Sequence, residues 1–339
     1  MPPWPTGTCG RSFDPMVPSE SSAPRVAAPA TAAPAPPGAP RTLAFPRGLR
    51  YMAVGAFFFS VMSLLVKTAG QRLPSQELVL ARSATMLALS WVGLRRAQVS
   101  WLHAPQRGLL LWRGIFGFSA LSCFYFSIVR LPLADANVFQ YLSPAFTAIL
   151  AALVLGEAMR PREMVAVLAS MAGVALVARP SFLFGGVGGL PLVVVGVAVL
   201  GAFFSACAYV CVRRLERQDP LVIIFYFSLV GVVGAVPASW TRLMAPTSLE
   251  WLILLGIGAT TQVAQLYLTK GLQLERAGRA SAVGYLQVVF AAIWGMLFFR
   301  ELPGAVTILG FLFVIGGTIA LASGSLGPAA HAAAVEELP

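Results

Sequence analysis

The chain has little charge. Charged residues make up 11% of its 339 residues, against about 25% in a typical soluble domain. Hydrophobic residues reach 58% and the mean hydropathy is +0.78, so this composition cannot cover a folded surface with groups that water solvates. The lack of charge argues against a soluble globular protein and predicts an integral membrane protein with the lipid bilayer around it.

Aspartate and histidine are scarce as well. The three aspartates are Asp14, Asp135 and Asp219, the two histidines are His103 and His331, and none falls in the middle of a hydrophobic run. A membrane-embedded hydrolase or metalloenzyme needs paired acids, a Ser–His arrangement or metal ligands at that depth. The sequence also lacks a Walker A motif. We therefore expect no catalysis, no direct coupling to ATP, and no metal or other cofactor.

The net charge of +11 does not indicate a nucleic-acid partner, because the basic residues lie in short loops rather than in a patch with interleaved aromatics. With the N-terminus placed in the cytoplasm, cytoplasmic segments hold 16 Lys and Arg residues and outer segments hold 6. The positive-inside rule therefore predicts a multi-pass protein of the inner or plasma membrane with both termini cytoplasmic.

Ten apolar runs, each long enough to cross a bilayer core of about 30 Å, follow a Pro- and Ala-rich segment. We expect that segment, 1–46, to be a disordered cytoplasmic tail; an extension without function is the alternative. The runs lie at 49–69, 76–94, 108–129, 132–155, 161–178, 189–212, 220–240, 249–269, 279–299 and 304–323. A short cytoplasmic tail, 324–339, follows them.

The ten runs form two sets of five, 47–180 and 187–323. An offset of 144 residues pairs Tyr141-Leu142 with Tyr285-Leu286, Phe146 with Phe290, Glu157 with Glu301 and Gly173 with Gly317. Because five is odd, the second set must enter the membrane upside down. The predicted fold is all-α, with ten transmembrane helices as two inverted five-helix repeats. This is the architecture of a carrier that works by alternating access at a shared midplane site.

Two segments resemble a known family. Residues 125–157 read YFSIVRLPLADANVFQYLSPAFTAILAALVLGE, and residues 271–303 read GLQLERAGRASAVGYLQVVFAAIWGMLFFRELP. Both resemble the EamA signature of the drug/metabolite transporter superfamily. Within it, Arg82-Ser83 and Arg113-Gly114 also match the branch near the solute-carrier nucleotide-sugar transporters and the bacterial S-adenosylmethionine carriers.

The two copies differ at two signature positions. The second has Val288 where the first has Pro144, and Arg300 where the first has Gly156. These departures do not threaten the fold. They do suggest that the two halves no longer serve the substrate equally.

The resemblance implies a carrier with a central cavity lined by helices one to four and six to nine. We expect a small polar or amphipathic substrate that is anionic or zwitterionic, such as an amino acid derivative, S-adenosylmethionine or a nucleotide-linked metabolite. Few acids lie near the expected pathway, which favours exchange or facilitation and leaves weak proton coupling open. A membrane-embedded acyltransferase-like enzyme is the alternative, and a passive pore is a third interpretation.

Two arginines lie inside predicted helices. Arg82 in helix two and Arg113 in helix three could bind a carboxylate or phosphate of the substrate. Alternatively, their long side chains could reach the membrane surface.

Uncharged polar residues recur on single helix faces. The cavity candidates among them are Gln140, Tyr141, Gln262, Gln265 and Tyr285. Hydrogen bonding between helices without any ligand is the alternative.

Further residues are candidates for gating or structure. Pro144 could kink helix four. Lys67 and Glu77 could pair on the outer side or cap their helices. Glu157 and Glu301 end equivalent helices beside basic residues, which favours an ion pair over substrate contact.

Helices five and ten are apolar and contain small residues that allow close helix packing. These residues are Ala166, Ser170, Gly173, Gly310 and Gly317. They could form the seam of a homodimer or pack within one protomer, and the sequence leaves both open.

Overall fold

The computed structural model of the chain describes residues 46–70, 72–102, 104–131, 138–178, 191–239, 244–299 and 304–323. The helices in this part of the chain are α1 (Arg47–Ala69), α2 (Ser75–Arg96), α3 (Arg107–Arg130), α4 (Ser143–Leu155), α5 (Pro161–Ala178), α6 (Leu192–Arg214), α7 (Pro220–Ser239), α8 (Ser248–Leu274), α9 (Ala277–Val283), α10 (Leu286–Phe299) and α11 (Ala305–Ser323).

The predicted all-α membrane fold is confirmed. In the described residues, nine helical stretches are long and apolar enough to cross a membrane. They occupy nine of the ten predicted positions, and α5 occupies the remaining one. α8 continues to Leu274, past its predicted end at 269, and the start of predicted helix four, 132–137, lies outside the described residues.

Helix termini follow the local sequence. Pro161 and Pro220 are the first residues of α5 and α7, where a missing N–H breaks no helical hydrogen bond. Thr247 and Glu250 form a reciprocal capping box at the start of α8. Gly156 ends α4 with φ +69°, a left-handed conformation that glycine adopts without steric strain.

Two of the predicted helices are interrupted at equivalent places. Tyr141 and Leu142 form a turn before α4, and Gly284 and Tyr285 form a turn between α9 and α10. Pro144 lies in the first turn of α4. The expected kink within a continuous helix is therefore replaced by a break, after which Pro144 helps to start a new helix.

The helix contacts keep the same pattern when the two halves are exchanged. The contact between α1 and α8 is equivalent to the contact between α6 and α3. In the same way, the contact between α4 and α6 is equivalent to the contact between α10 and α1. The pairs α2–α7 and α5–α11 map onto themselves. This pattern is what two inverted repeats related by a pseudo-two-fold axis would produce.

α5 and α11 approach each other at small residues. A Cβ atom added to Gly173 would lie 2.6 Å from the carbonyl oxygen of Gly310, and one added to Gly317 would lie 2.2 Å from Oγ of Ser170. The small residues of these helices therefore pack against each other within one protomer. A homodimer through the two helices stays a prediction, and it would have to use their outer faces.

Candidate functional site

A cavity of about 280 Å³ lies between the two repeats. Residues from both halves form its wall, and both interrupted helices reach it at their breaks. Its polar lining comprises Ser63, Arg82, Arg113, Gln140, Tyr141, Ser143, Ser205, Tyr209, Gln265, Ser281, Tyr285 and Gln287. The described lining contains no carboxylate.

Arg113 is held by neutral groups. Its guanidinium lies 4.5 Å from the ring centroid of Phe227, and Nη2 donates to Oε1 of Gln265 at 3.4 Å. Its Nε is buried without a hydrogen-bond partner. The side chain thus has a fixed place in the cavity wall and spare hydrogen-bonding capacity.

Arg82 has still fewer contacts. The residue is 7% exposed, about ten ångströms into α2 by its position along the helix. Among the described residues it has no hydrogen bond and no ion pair, and the phenol of Tyr125 and the guanidinium of Arg113 are its electrostatic neighbours. A guanidinium that reached the membrane surface would be exposed, whereas Arg82 and Arg113 are buried beside the cavity.

Gln140 links the first interrupted helix to α6. Its Nε2 donates to Oγ of Ser205 at 2.9 Å, and its Oε1 is buried without a partner. Ser205 and Tyr209 are one turn apart on α6 and both line the cavity. Neither residue was predicted, although their spacing of four places both on one face of a membrane helix.

The two interrupted helices meet at their tyrosines. The hydroxyl of Tyr285 donates to the backbone carbonyl of Tyr141 at 2.9 Å, and the two rings lie 5.9 Å apart. The break before α4 exposes this carbonyl to the partner repeat. The hydrogen bond therefore ties the two halves together beside the cavity.

Six of the seven predicted cavity residues line the cavity: Arg82, Arg113, Gln140, Tyr141, Gln265 and Tyr285. Gln262 does not. Its side-chain amide exchanges hydrogen bonds with Oγ of Ser90 on α2, at 2.9 and 3.3 Å. Gln262 and Gln265 are about 60° apart around α8, so one faces α2 and the other faces the cavity.

An ion pair closes the end of the bundle where α4 and α6 end. The Glu157 carboxylate accepts from Nε of Arg213 at 2.6 Å and from the backbone N–H of Ala277 at 3.0 Å. Arg213 also donates to the carbonyl of Gln273 at 2.5 Å. This Glu157 network (Glu157, Arg213, Gln273 and Ala277) joins the first repeat to three elements of the second.

A second buried group of charges lies at the same end. Arg279 is 3.3 Å from Glu163 and 3.4 Å from Glu275, and it donates to the carbonyl of Leu321 at 2.5 Å. Burial raises the pKa of Glu275, and the neighbouring arginines, Arg279 first, partly oppose this rise. Every charge in this Arg279 cluster (Arg279, Glu163 and Glu275) faces an opposite one.

The opposite end also has polar bridges between the repeats. Arg72 binds both carboxylate oxygens of Glu250, with 2.6 Å from Nε to Oε1, and this bond raises the pKa of Arg72. Glu77 accepts from the backbone N–H of Met244 at 3.1 Å, so its partner here is a backbone amide. Lys67 is exposed near the end of α1, and Glu301 lies outside the described residues.

The family follows from the two halves of the chain. The EamA-like transporter family matches residues 46–179 and again residues 192–323. The chain belongs to the EamA-like transporter family. Membership of the drug/metabolite transporter superfamily, predicted from the two signature segments, is thereby confirmed.

Two relatives of this EamA-like transporter have names that describe transport. This chain is 35% identical over 276 residues to the pseudopaline exporter CntI of Pseudomonas aeruginosa. The aligned stretch covers 81% of this chain and 95% of that protein. The chain is 30% identical to human solute carrier family 35 member G1, over 81% of this chain and 78% of that protein. These similarities give the acyltransferase alternative no support.

A solved crystal structure shares the fold. It superposes with a TM-score of 0.72 over 83% of this chain and 99% of that one, at 18% sequence identity. At this identity the similarity concerns the architecture alone. The cavity of the EamA-like transporter must therefore be interpreted from its own residues.

Proposed function

We propose that this chain is a secondary carrier that moves a small anionic or zwitterionic metabolite across the inner or plasma membrane by alternating access, with both termini cytoplasmic. The observation that carries the proposal is the pair of arginines in the cavity wall. Arg82 and Arg113 are buried there without a carboxylate partner among the described residues.

A buried guanidinium needs a partner because desolvation of an unpaired charge costs several kcal/mol. Carboxylates and phosphates match its planar fork of donors and can accept two hydrogen bonds at once. A substrate anion between the repeats would supply this partner. Gln140 and Gln265 would then add neutral hydrogen bonds that orient the substrate.

The cavity volume limits the size of the substrate. About 280 Å³ lies just below the usual range of roughly 300 to 1,000 Å³ for ligand pockets. This favours a compact metabolite, such as an amino acid derivative, over a nucleotide sugar. The absence of a carboxylate in the described lining favours exchange or facilitated transport over proton coupling.

Alternating access would use the two sets of polar bridges. The Glu157 network holds the repeats together at one end, and Arg72 with Glu250 holds them at the other. Opening one end while the other stays closed would expose the cavity to each side in turn. The interrupted helices give each repeat a place to bend beside the cavity.

The experiment has two stages. A thermal-shift screen of the purified protein against charged metabolites identifies ligands, because a ligand that binds the folded form raises its melting temperature. Pseudopaline belongs in the screen because a relative is named for exporting it. Counterflow in proteoliposomes then tests transport of each hit, and saturation separates a carrier from a pore.

Arginine variants test the site itself. We expect Arg82→Ala and Arg113→Ala to abolish counterflow of the anion, whereas Arg96→Ala at the exposed end of α2 leaves it unchanged. If both cavity variants transport every anionic and zwitterionic hit as the wild type does, the proposed site is wrong.

A further inference from the structure

Among the residues that the structure describes, the wall of the central cavity carries two positive charges and no carboxylate to balance them. Arg82 and Arg113 are 7% and 3% exposed. Apart from them, the titratable side chains of the described lining are all tyrosines. The two guanidinium groups also interact electrostatically with each other. The described cavity therefore has a net charge of +2 from its side chains.

Apart from their interaction with each other, both arginines have neutral neighbours among the described residues. Arg113 contacts an amide oxygen of Gln265 and the ring of Phe227. Arg82 has Tyr125 as its electrostatic neighbour. An amide or a ring can orient a guanidinium, but neither cancels its charge.

Glu77 is the acid on the same helix as Arg82, and it is already engaged. It lies in the first turn of α2 and accepts a hydrogen bond from the backbone N–H of Met244. Five positions along a helix also separate the two side chains by about 140°. Glu77 therefore does not serve as the counterion of Arg82.

The charge of the substrate decides what remains in the cavity. A zwitterion leaves both positive charges, and a monoanion leaves one of them in a medium of low polarity, where an unpaired charge is costly. A dianion removes both. We infer that the substrate carries two negative charges, as two carboxylates or as one phosphate monoester; this inference rests on the proposed anion site.

Matched ligands isolate the effect of charge. We would titrate the purified full chain at pH 8 with succinate, glutarate and adipate, with the monoamide of each acid, and with phenyl phosphate. The monoamides keep the length of the diacids but carry one charge. We expect the best diacid or the phosphate to bind at least about tenfold more tightly than the best monoamide.

Arginine variants should change this preference. In Arg82→Gln and in Arg113→Gln, the cavity keeps one positive charge, so diacid and monoamide should bind within about twofold of each other. Arg82→Lys keeps the charge and should keep the preference. Size-exclusion chromatography and circular dichroism verify that each variant is folded, and either glutamine variant is sufficient for the test.

Three outcomes would overturn the inference. They are equal binding of diacids and monoamides by the wild type, an unchanged preference in a folded glutamine variant, and no binding of any dianion in the set. Counterflow separates these from failure of the proposed function. If a monoanion or zwitterion is transported and this transport depends on Arg82, the proposed carrier site stands. Only the inference that the substrate carries two negative charges is then wrong.

Discussion

Two regions of this transporter contain buried arginines, and the two regions differ in the partners that they provide for the guanidinium group. In the Arg279 cluster, Arg279 is 6% exposed, and its guanidinium faces two carboxylates and a backbone carbonyl. In the central cavity, Arg82 is 7% exposed and faces no carboxylate among the described residues. Burial is the same, so the difference lies in the partner. An arginine with partners holds helices together, and one without partners is available to a ligand.

The largest effect is expected where the charges are paired. Arg279→Leu would leave Glu163, whose side chain is 4% exposed, without its cation, and we expect a loss of about 3–5 kcal/mol of stability. The measurement is the apparent melting temperature in detergent. Because losing Arg279 removes the interaction that opposes the raised pKa of Glu275, the loss should shrink as the pH falls and this carboxylate binds a proton.

Arg279→Lys is the control for the paired charges. It keeps the positive charge and should lose clearly less stability than the leucine variant. A leucine variant as stable as the wild type at neutral pH would show that the cluster contributes nothing to the fold.

The matching change in the cavity should have the opposite sign. Arg82→Gln removes a buried charge that lacks a partner, so the apparent melting temperature without ligand should stay the same or rise by about 1–2 °C. Binding of the substrate anion should weaken at least about tenfold. A melting temperature that falls as far as in Arg279→Leu would contradict the comparison, because it would reveal a structural partner of Arg82.

A smaller effect is expected in the Glu157 network. Glu157→Gln removes one carboxylate oxygen from a site that binds both Arg213 and the N–H of Ala277, and we expect a loss of about 1.5–3 kcal/mol. Glu216→Gln is the control, since Glu216 is 51% exposed and 3.5 Å from the same arginine. Its loss should stay below about 1 kcal/mol in the same thermal measurement. Equal losses would mean that Glu157 is merely a surface charge.

The smallest effect concerns the crossing of the interrupted helices. Tyr285→Phe removes the hydroxyl that donates to the carbonyl of Tyr141, which should cost about 1 kcal/mol. Tyr141→Phe is the matched change in the other repeat, and among the described residues no hydrogen bond from that hydroxyl is present. Thermal denaturation of both variants checks the difference. A larger loss in Tyr141→Phe would contradict the described geometry.

The sequence was sufficient for the architecture because membrane helices depend on local properties. Length and hydropathy located the ten helices, and the odd number of helices in each repeat required the inversion. The breaks at Tyr141 and Tyr285 could not be predicted this way, since the predicted apolar runs 132–155 and 279–299 continue through both positions. Pro144 indicated a disturbance of the helix near the first break, but Val288 at the equivalent place did not indicate the second break.

The site was partly predictable for a similar reason. Buried arginines and amides stand out against an apolar background, so most cavity residues could be named. Whether a polar side chain faces the cavity or a neighbouring helix depends on how its own helix is rotated about its axis. For this reason Gln262 faces α2 whereas Gln265 faces the cavity. The partner of Glu157 lies 56 residues away in the chain, a distance over which local patterns say nothing.

The central claim is that the unpaired arginines hold the substrate anion between the repeats. It is tested most directly by thiol protection at position 205. In a chain whose native cysteines are replaced by serine, Ser205→Cys places a thiol on the cavity wall next to Gln140. We predict that the transported anion slows labelling of this thiol, and that the effect disappears when Arg82→Gln and Arg113→Gln are added. Equal protection with and without the two arginines would contradict the account.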